Sequence, residues 1–322
     1  MQTPTQVITT KPDYPDADKC YYEIAFANLE LKKEKEAADA LRSLATKLPN
    51  SLLAPESWFR VGEFHESQKQ PVEASAAFTA GLTAAKTPEL RERLHYKLGW
   101  VQHEQKQFPA ALTTFQNQLK EFPQGTLAGD ANFLAGECHF RQDKFAEALP
   151  FYAAVIAAKS ERFHAKALYR SGACTTQLKQ WPQAQQHFTL LVQTFPKFEQ
   201  LHDARYGLGF AQQSQNQFDA AKVTYTLVTK ETRTETAAKA RFMMGQCSLA
   251  AKNFAEATEH FLEAAFGYPY EEWQCQAHFE AAKCFIELKD TEKARESLET
   301  VTKRFPNHAR AKEATTLLAG LK

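Results

Sequence analysis

The chain has 322 residues, of which 24% are charged and 43% hydrophobic, and its formal net charge is +1. This composition is typical of a folded, water-soluble protein rather than a disordered one. The near-neutral charge lacks the strongly basic character of a nucleic-acid-binding protein. No apolar run reaches the ~18 residues that suggest a membrane span. We therefore predict no nucleic-acid partner and no membrane span.

Residues 1–16 are rich in Thr and Pro and precede the first helix-like segment, so we predict that they form a flexible leader. The leader lacks the basic region followed by an apolar region that defines a signal peptide. As given, the sequence is expected to be soluble and cytoplasmic. A periplasmic or cell-envelope location would follow if a signal or a lipid anchor had been trimmed from a longer precursor.

From residue 17 onward, one pattern recurs eight times. Each copy has a small residue in the middle of its first apolar-periodic segment, and we call this residue the anchor. The anchors of repeats 1 to 8 are Ala25, Gly62, Gly99, Gly136, Gly172, Gly209, Gly245 and Ala282. Successive anchors are 36 or 37 residues apart, which identifies a tandem array.

Four further positions recur at fixed distances from the anchor. The residue three before it (position −3) is always aromatic, the residue at +12 is always Ala, and the residue at +16 is always Leu, Phe or Tyr. Proline stands at +24 in five of the eight repeats. Repeat 3 shows the complete pattern, with Tyr96, Gly99, Ala111, Phe115 and Pro123.

The apolar spacing is that of α-helices joined by polar turns, without the alternation that marks strands. Each repeat therefore predicts a helix A around the anchor, a short turn and a helix B. A Gly inside a helix costs about 1 kcal/mol relative to Ala. We therefore expect it only where another helix approaches too closely for a larger residue. We expect the anchor of helix A to meet the Ala of helix B, with the aromatic residues packed beside that contact.

These columns resemble the tetratricopeptide repeat, in which a small residue, an Ala, an aromatic residue and a Pro recur at the spacing of Gly99, Ala111, Phe115 and Pro123. The resemblance covers residues 17–307 and implies an all-α, right-handed α-solenoid of about eight helix-turn-helix hairpins. The period exceeds the family's usual value of about 34 residues. This longer form looks like the repeats of bacterial cell-envelope proteins, such as the Tol-Pal coordinator and outer-membrane-assembly lipoproteins. Residues 308–322 are predicted to form a capping helix.

The six cysteines predict neither a metal site nor a disulfide framework. Four of them share position +2, where a small buried side chain is expected: Cys138, Cys174, Cys247 and Cys284. No ligand spacing typical of a metal site is present, and the motifs of hydrolases, metalloproteases and nucleotide-binding enzymes are absent. We therefore predict a protein that is not an enzyme and that holds no metal or cofactor.

In the family that the sequence resembles, helix A residues at positions −3, +1, +4 and +5 line a concave groove. The first three of these positions form one stripe along a helix. In this sequence the clearest cluster on the stripe is Tyr96, Trp100 and His103 of repeat 3. The other candidate partner-binding residues are Phe26, Glu63, Glu66, Phe133, Glu137, Phe140 and Phe210.

Exposed aromatic residues are candidates for holding apolar side chains of a partner, and Glu63 and Glu66 are candidates for receiving a basic group. The alternative is that the −3 aromatics fill the space between repeats and that the glutamates are only solvated.

The favoured function is a non-catalytic scaffold that binds a protein or peptide segment in the groove. A structural module of a larger chain, or a homo-oligomer built by stacking of solenoids, remains a second interpretation. An enzyme would need a deep pocket with converging titratable groups.

Overall fold

The computed structural model describes residues 3–11 and 14–321. The described residues form eighteen α-helices and no strand, which confirms the all-α prediction. The chain divides into two compact units, 1–164 and 165–322. Each unit is a series of helical hairpins.

The helices of the N-terminal unit are α1 (Pro4–Thr10), α2 (Ala17–Glu30), α3 (Glu34–Lys47), α4 (Ala54–Ser67), α5 (Pro71–Ala84), α6 (Pro88–Glu104), α7 (Phe108–Glu121), α8 (Ala128–Phe140) and α9 (Phe145–Ala157). The C-terminal unit is built from α10 (His164–Gln177), α11 (Trp181–Thr194), α12 (Leu201–Gln213), α13 (Phe218–Glu231), α14 (Glu235–Ala250), α15 (Phe254–Gly267), α16 (Glu271–Glu287), α17 (Thr291–Arg304) and α18 (Ala309–Gly320). In each repeat the even-numbered helix from α2 to α16 is helix A, and the helix that follows it is helix B.

The two ends of the chain carry helices outside the repeats. Helix α1 lies in the segment predicted to be a flexible leader and packs against α2. Residues 1, 2, 12 and 13 of that segment are outside the described part of the chain. Helix α18 occupies the predicted capping segment, where Leu317 and Leu318 pack against the cluster that contains Phe279 and Leu298.

Each glycine anchor lies against the aromatic ring at position +16 of its own repeat. A Cβ atom added to Gly99 would be 2.6 Å from Cε1 of Phe115, and the next nearest atoms belong to the same ring. The other five pairs are Gly62–Phe78, Gly136–Tyr152, Gly172–Phe188, Gly209–Tyr225 and Gly245–Phe261. In these six repeats the atoms nearest to a Cβ added at the anchor belong to this ring, and the missing methyl group makes room for it. The contact between the anchor and the Ala at +12 stays a prediction.

The turn between helices A and B has the same geometry in all eight repeats. The residue at +7 has a positive φ of 56–62° in every case, although none of these residues is glycine: Lys32, Lys69, Lys106, Asp143, Lys179, Asn216, Lys252 and Lys289. The next residue donates its backbone N–H to the carbonyl of the residue at +3, as Gln107 does to Gln102 at 2.9 Å. This is the hydrogen bond of a Schellman motif, which satisfies an orphan carbonyl at the end of helix A.

Replacing Lys106 by Gly is expected to stabilise the protein by up to about 1 kcal/mol, because the left-handed conformation is unfavourable for a residue with a Cβ atom. The exposed Gln116, in the middle of α7, provides the matched control. There, Gln116→Gly should destabilise the protein by about 1 kcal/mol, because glycine is a poor helix former. Urea unfolding of the two variants measures both effects, and a loss of stability in Lys106→Gly would contradict the role assigned to this turn.

The cysteines of the +2 column are buried, as their position predicted. Burial raises the pKa of Cys138 to about 12 and that of Cys284 to about 11. These thiols therefore stay protonated and act as small apolar side chains in the core.

Candidate functional site

We call the stripe of positions −3, +1 and +4 on the A helices the inner stripe. In repeats 2 and 3 it borders a pocket beside Trp100. The pocket has a volume of about 330 Å³ and is lined by Glu66, Lys69, Pro71, Trp100, Val101 and Glu104. Trp100 is half-buried, and its ring stacks on His103 with a centroid distance of 6.4 Å. His103 in turn meets the edge of Phe108 at 5.4 Å. The structure thus brings Trp100 and His103 together and leaves part of the indole accessible.

Tyr96, the third member of the predicted cluster, is half-buried, as Trp100 is. Burial raises the pKa of its hydroxyl, and the nearby carboxylate of Asp130 raises it further. Asp130 itself forms a 2.7 Å ion pair with Arg162. Tyr96 does not line the pocket beside Trp100.

The two glutamates predicted to receive a basic group already face a base of the chain. Lys97 lies 2.8 Å from the carboxylate of Glu66 and 3.9 Å from that of Glu63. Arg93, also in repeat 3, lies 3.7 Å from Glu56 of repeat 2. A basic group of a ligand would therefore have to compete with Lys97 for Glu66.

The predicted residues of repeat 4 divide between the interior and the surface. Phe133 is buried and stacks on Phe163 at 4.4 Å. Glu137 is only 6% exposed, and its carboxylate accepts a 2.6 Å hydrogen bond from the hydroxyl of Tyr152. Phe140 is half-buried. Both side chains therefore lie in the interior, and their part in binding a partner stays a prediction.

Phe26, at the N-terminal end of the stripe, is 40% exposed. Its ring packs on Tyr22 at 4.8 Å, and the guanidinium of Arg60 lies over it at 5.5 Å. Beside it, a pocket of about 260 Å³ is lined by residues that include Leu29, Arg60 and Glu63. The first two repeats therefore offer an apolar surface covered on one side by a cation.

Phe210 belongs to the C-terminal unit, where it helps to line a second aromatic pocket. Its ring stacks on Tyr206 at 6.4 Å and meets Trp181 nearly perpendicularly at 5.8 Å. The pocket has a volume of about 260 Å³. Ala173 and Gly207 also line it, and neither was predicted as a site residue. Their small size could have indicated the pocket in the sequence, because both residues are much smaller than their counterparts in other repeats.

Two classes of site find no support in the part of the chain that the structure describes. Within residues 3–11 and 14–321, no group of three or more His, Cys, Asp or Glu side chains could hold a metal ion. Over the same residues, no helix combines the length and apolarity that crossing a membrane requires.

Two family models match the chain, and both describe the tetratricopeptide repeat. A tetratricopeptide repeat model matches residues 96–163, and a second tetratricopeptide repeat model matches residues 19–51, 166–197 and 276–308. Together these segments cover just over half of the sequence. The chain therefore belongs to the tetratricopeptide repeat family. The matches are to the repeat in general and do not distinguish its cell-envelope form. No curated protein sequence matches the chain.

Solved structures share the fold at low sequence identity. A tetratricopeptide repeat protein from Parabacteroides merdae is 15% identical, with a TM-score of 0.52 over 82% of this chain and 98% of the other. The apo form of RapI is 15% identical, with a TM-score of 0.55 over 98% of this chain and 91% of the other. YrrB, described as a TPR protein with an unusual peptide-binding site, is 19% identical, with a TM-score of 0.50 over 63% of this chain and 98% of the other.

Proposed function

We propose that this protein is a non-catalytic scaffold that binds a segment of a protein partner along the inner stripe of its A helices. Membership of the tetratricopeptide repeat family supports a role in protein–protein interaction. The observation that carries the proposal is that partly exposed aromatic residues line pockets on this stripe, as Trp100 and Phe210 do. YrrB is described as having an unusual peptide-binding site, and a peptide is a ligand of the class that we propose for this chain. The proposal assigns no chemical reaction to the chain.

The pocket beside Trp100 has the composition of an anchoring site. A partly accessible tryptophan presents a large rigid apolar surface, and such residues dominate the binding energy of many interfaces. Glu66, Lys69 and Glu104 surround it with charge. An apolar side chain of the partner would lose its contact with water on entering the pocket, while its polar backbone would remain near these charged groups.

Replacing Trp100 by Ala is expected to weaken binding of the partner by about tenfold or more, the usual effect of removing a tryptophan anchor. The partner is first captured from a lysate of the source organism by the wild-type chain, and its affinity is then measured with purified components. The Trp100→Ala/Phe140→Ala variant should bind more weakly still.

Leu190→Ala is the control, since it removes an exposed apolar side chain from a B helix. Unchanged circular dichroism and melting midpoints would show that the variants are folded. Binding at full strength by folded Trp100→Ala would exclude repeat 3 as the site.

A further inference from the structure

His278, on helix α16 of repeat 8, is a buried histidine that lacks a hydrogen-bond partner. Its side chain is 2% exposed, and neither ring nitrogen contacts a donor or an acceptor among the described residues. A buried polar group without a partner costs free energy, and the cost is larger when the group is charged. The site therefore tolerates the neutral imidazole and disfavours the imidazolium ion.

The position of His278 belongs to a pair that recurs between helices A and B. The residue four before the anchor (position −4) contacts the residue at +22 of its own repeat in repeats 1, 3 and 6: Tyr21–Lys47, His95–Glu121 and Arg205–Glu231. In repeats 3 and 6 this pair joins a base to an acid. His95, the counterpart of His278 in repeat 3, lies 3.3 Å from the carboxylate of Glu121.

Repeat 8 departs from this pairing, because its +22 position holds the base Arg304. Burial and the positive charge of Arg304 lower the pKa of His278 from 6.5 to about 4. From α15 the imidazole meets only the uncharged ring of Phe266, at a centroid distance of 5.0 Å. Helices α14 and α18 also pack against α16, but none of their described charged groups, nor any of α16 itself, shifts this pKa. A proton on His278 would therefore face Arg304 without a compensating acid among the described residues.

The contact that closes the α15 side of the site is weak. Phe266 meets the imidazole nearly perpendicularly, but its side chain is 70% exposed. It stands at +21, where the other repeats carry Thr, Lys, Ala or Gln. Because most of the ring stays in contact with water, covering the imidazole in this way gains little free energy from burial.

The helix that carries His278 also holds repeat 8 together. Helix α16 packs against α15 of repeat 7, against α17 and against α18. Phe279, the residue next to His278, belongs to one core cluster with Leu298 and Phe305 of repeat 8, and Leu318 of α18 packs on this cluster. Bringing a charged imidazole into contact with water requires this packing to loosen. Local openings of this kind occur in cooperative units rather than residue by residue.

We propose that repeat 8 is a pH-sensitive element, which opens locally on acidification while the earlier repeats stay closed. In the open form the protonated ring of His278 is hydrated and no longer faces Arg304. Because the pKa of the closed form is lowered, the closed form is fully stable above pH 6.5 and loses stability as the pH falls toward 4. This element is a property of the fold and does not depend on the proposed scaffold function.

Buried cysteines can report the opening, because the chain carries them both inside and outside repeat 8. Cys275 and Cys284 lie on α16, whereas Cys138 and Cys174 lie in repeats 4 and 5, and all four are 0% exposed. The full chain is labelled with a pyridyl disulfide at pH 7 and at pH 5, and mass spectrometry gives the labelling rate of each thiol. The ratio of the rates in repeat 8 to those in repeats 4 and 5 cancels the effect of pH on the reaction itself. We expect this ratio to rise about tenfold or more at pH 5.

Arg304→Glu recreates in repeat 8 the pair that His95 and Glu121 form in repeat 3. A carboxylate opposite His278 favours the imidazolium ion in the closed form, so the ratio should rise much less on acidification. Lys303→Glu is the matched control, because it makes the same change of charge at an adjacent side chain that is 73% exposed. This control should keep the full rise.

His278→Leu removes the titrating group and should also lose the rise, which gives a second variant if Arg304→Glu does not fold. Melting midpoints at pH 7 show which variants are folded. An equal rise at all four cysteines would overturn the inference, because the opening would then be global. An unchanged ratio in the wild type would overturn it by confining any response to the ring of Phe266. Equal rises in Arg304→Glu and Lys303→Glu, or a full rise in His278→Leu, would show that His278 is not the responsible group.

Discussion

Replacing Gly99 by Ala is expected to destabilise the protein by up to about 2 kcal/mol, although Ala is the better helix former. The added methyl group would lie 2.6–2.9 Å from three atoms of the fully buried ring of Phe115. Inserting a methyl group into a packed core costs about 1–3 kcal/mol, and the gain of about 1 kcal/mol in helix propensity offsets only part of this. The midpoint of urea unfolding measures the result.

The chain itself suggests the compensating change. Repeats 1 and 8 have Ala at the anchor, and there the +16 position is Leu: Ala25 with Leu41 and Ala282 with Leu298. Phe115→Leu alone should also be destabilising, because it leaves a cavity in the core. In the double variant the alanine methyl group occupies part of that cavity. We expect a favourable coupling energy of about 1–3 kcal/mol in the double-mutant cycle.

Repeat 1 provides the reverse experiment. Leu41→Phe should destabilise the protein when Ala25 is present and should be tolerated better in the Ala25→Gly background, because the ring then regains its space. Additive effects in both cycles would show that the anchor and the +16 residue do not compete for the same volume, in contradiction to the packing described above.

Acidification from pH 7 to pH 5 is expected to destabilise the wild-type protein more than the His278→Leu variant. His278 is only 2% exposed, and neither ring nitrogen has a hydrogen-bond partner among the described residues. Burial and the nearby positive charge of Arg304 lower its pKa from 6.5 to about 4. Between pH 6.5 and pH 4, His278 is therefore protonated in the unfolded chain and neutral in the folded chain. The stability that the neutral His278 side chain contributes is fully present above pH 6.5 and is lost as the pH falls toward 4.

The size of this effect follows from the displacement of the pKa, which corresponds to at most about 3 kcal/mol. The variant is matched within the chain, because Leu168 of repeat 5 occupies the position that His278 has in repeat 8. Urea unfolding at pH 8, 7, 6 and 5 gives the free energy of each protein. Parallel pH profiles for wild type and His278→Leu would show that His278 is not the group responsible. His139→Leu, at a half-buried histidine, should change the slope less.

The hairpins could be predicted from the sequence because their determinants are local and repeated eight times. Helical periodicity, the polar turn and the small anchor all lie within about 25 residues of one another, so no tertiary information was needed. The aromatic column at −3 was ambiguous between groove and core. In the structure its phenylalanines, such as Phe59 and Phe279, are buried, whereas its tyrosines, such as Tyr22 and Tyr96, are half-buried. The hydroxyl group was a usable signal, because a tyrosine is favoured where one end of the ring reaches water.

Sequence spacing does not define the contacts between elements. Glu137 was grouped with surface residues by its position on the stripe, but the hydroxyl of Tyr152 satisfies its carboxylate in the interior. Lys97 neutralises Glu66 from the next repeat, and this pairing depends on how two helices are set side by side. Gly207 and Ala173 were not chosen as candidate site residues, because a column search looks for what is conserved among repeats, whereas a recess arises where a repeat departs from its neighbours.

The fit between each glycine anchor and its ring also bears on how such an array changes in evolution. Because Gly62, Gly99 and the other anchors meet a ring of their own repeat, a whole repeat carries both halves of the contact when it is duplicated or exchanged. Phe188 is different, since its ring is held between Gly172 of repeat 5 and Gly207 of repeat 6. A rearrangement that breaks the chain between these two repeats separates the ring from its second glycine. Repeats 5 and 6 are therefore expected to be inherited as a pair.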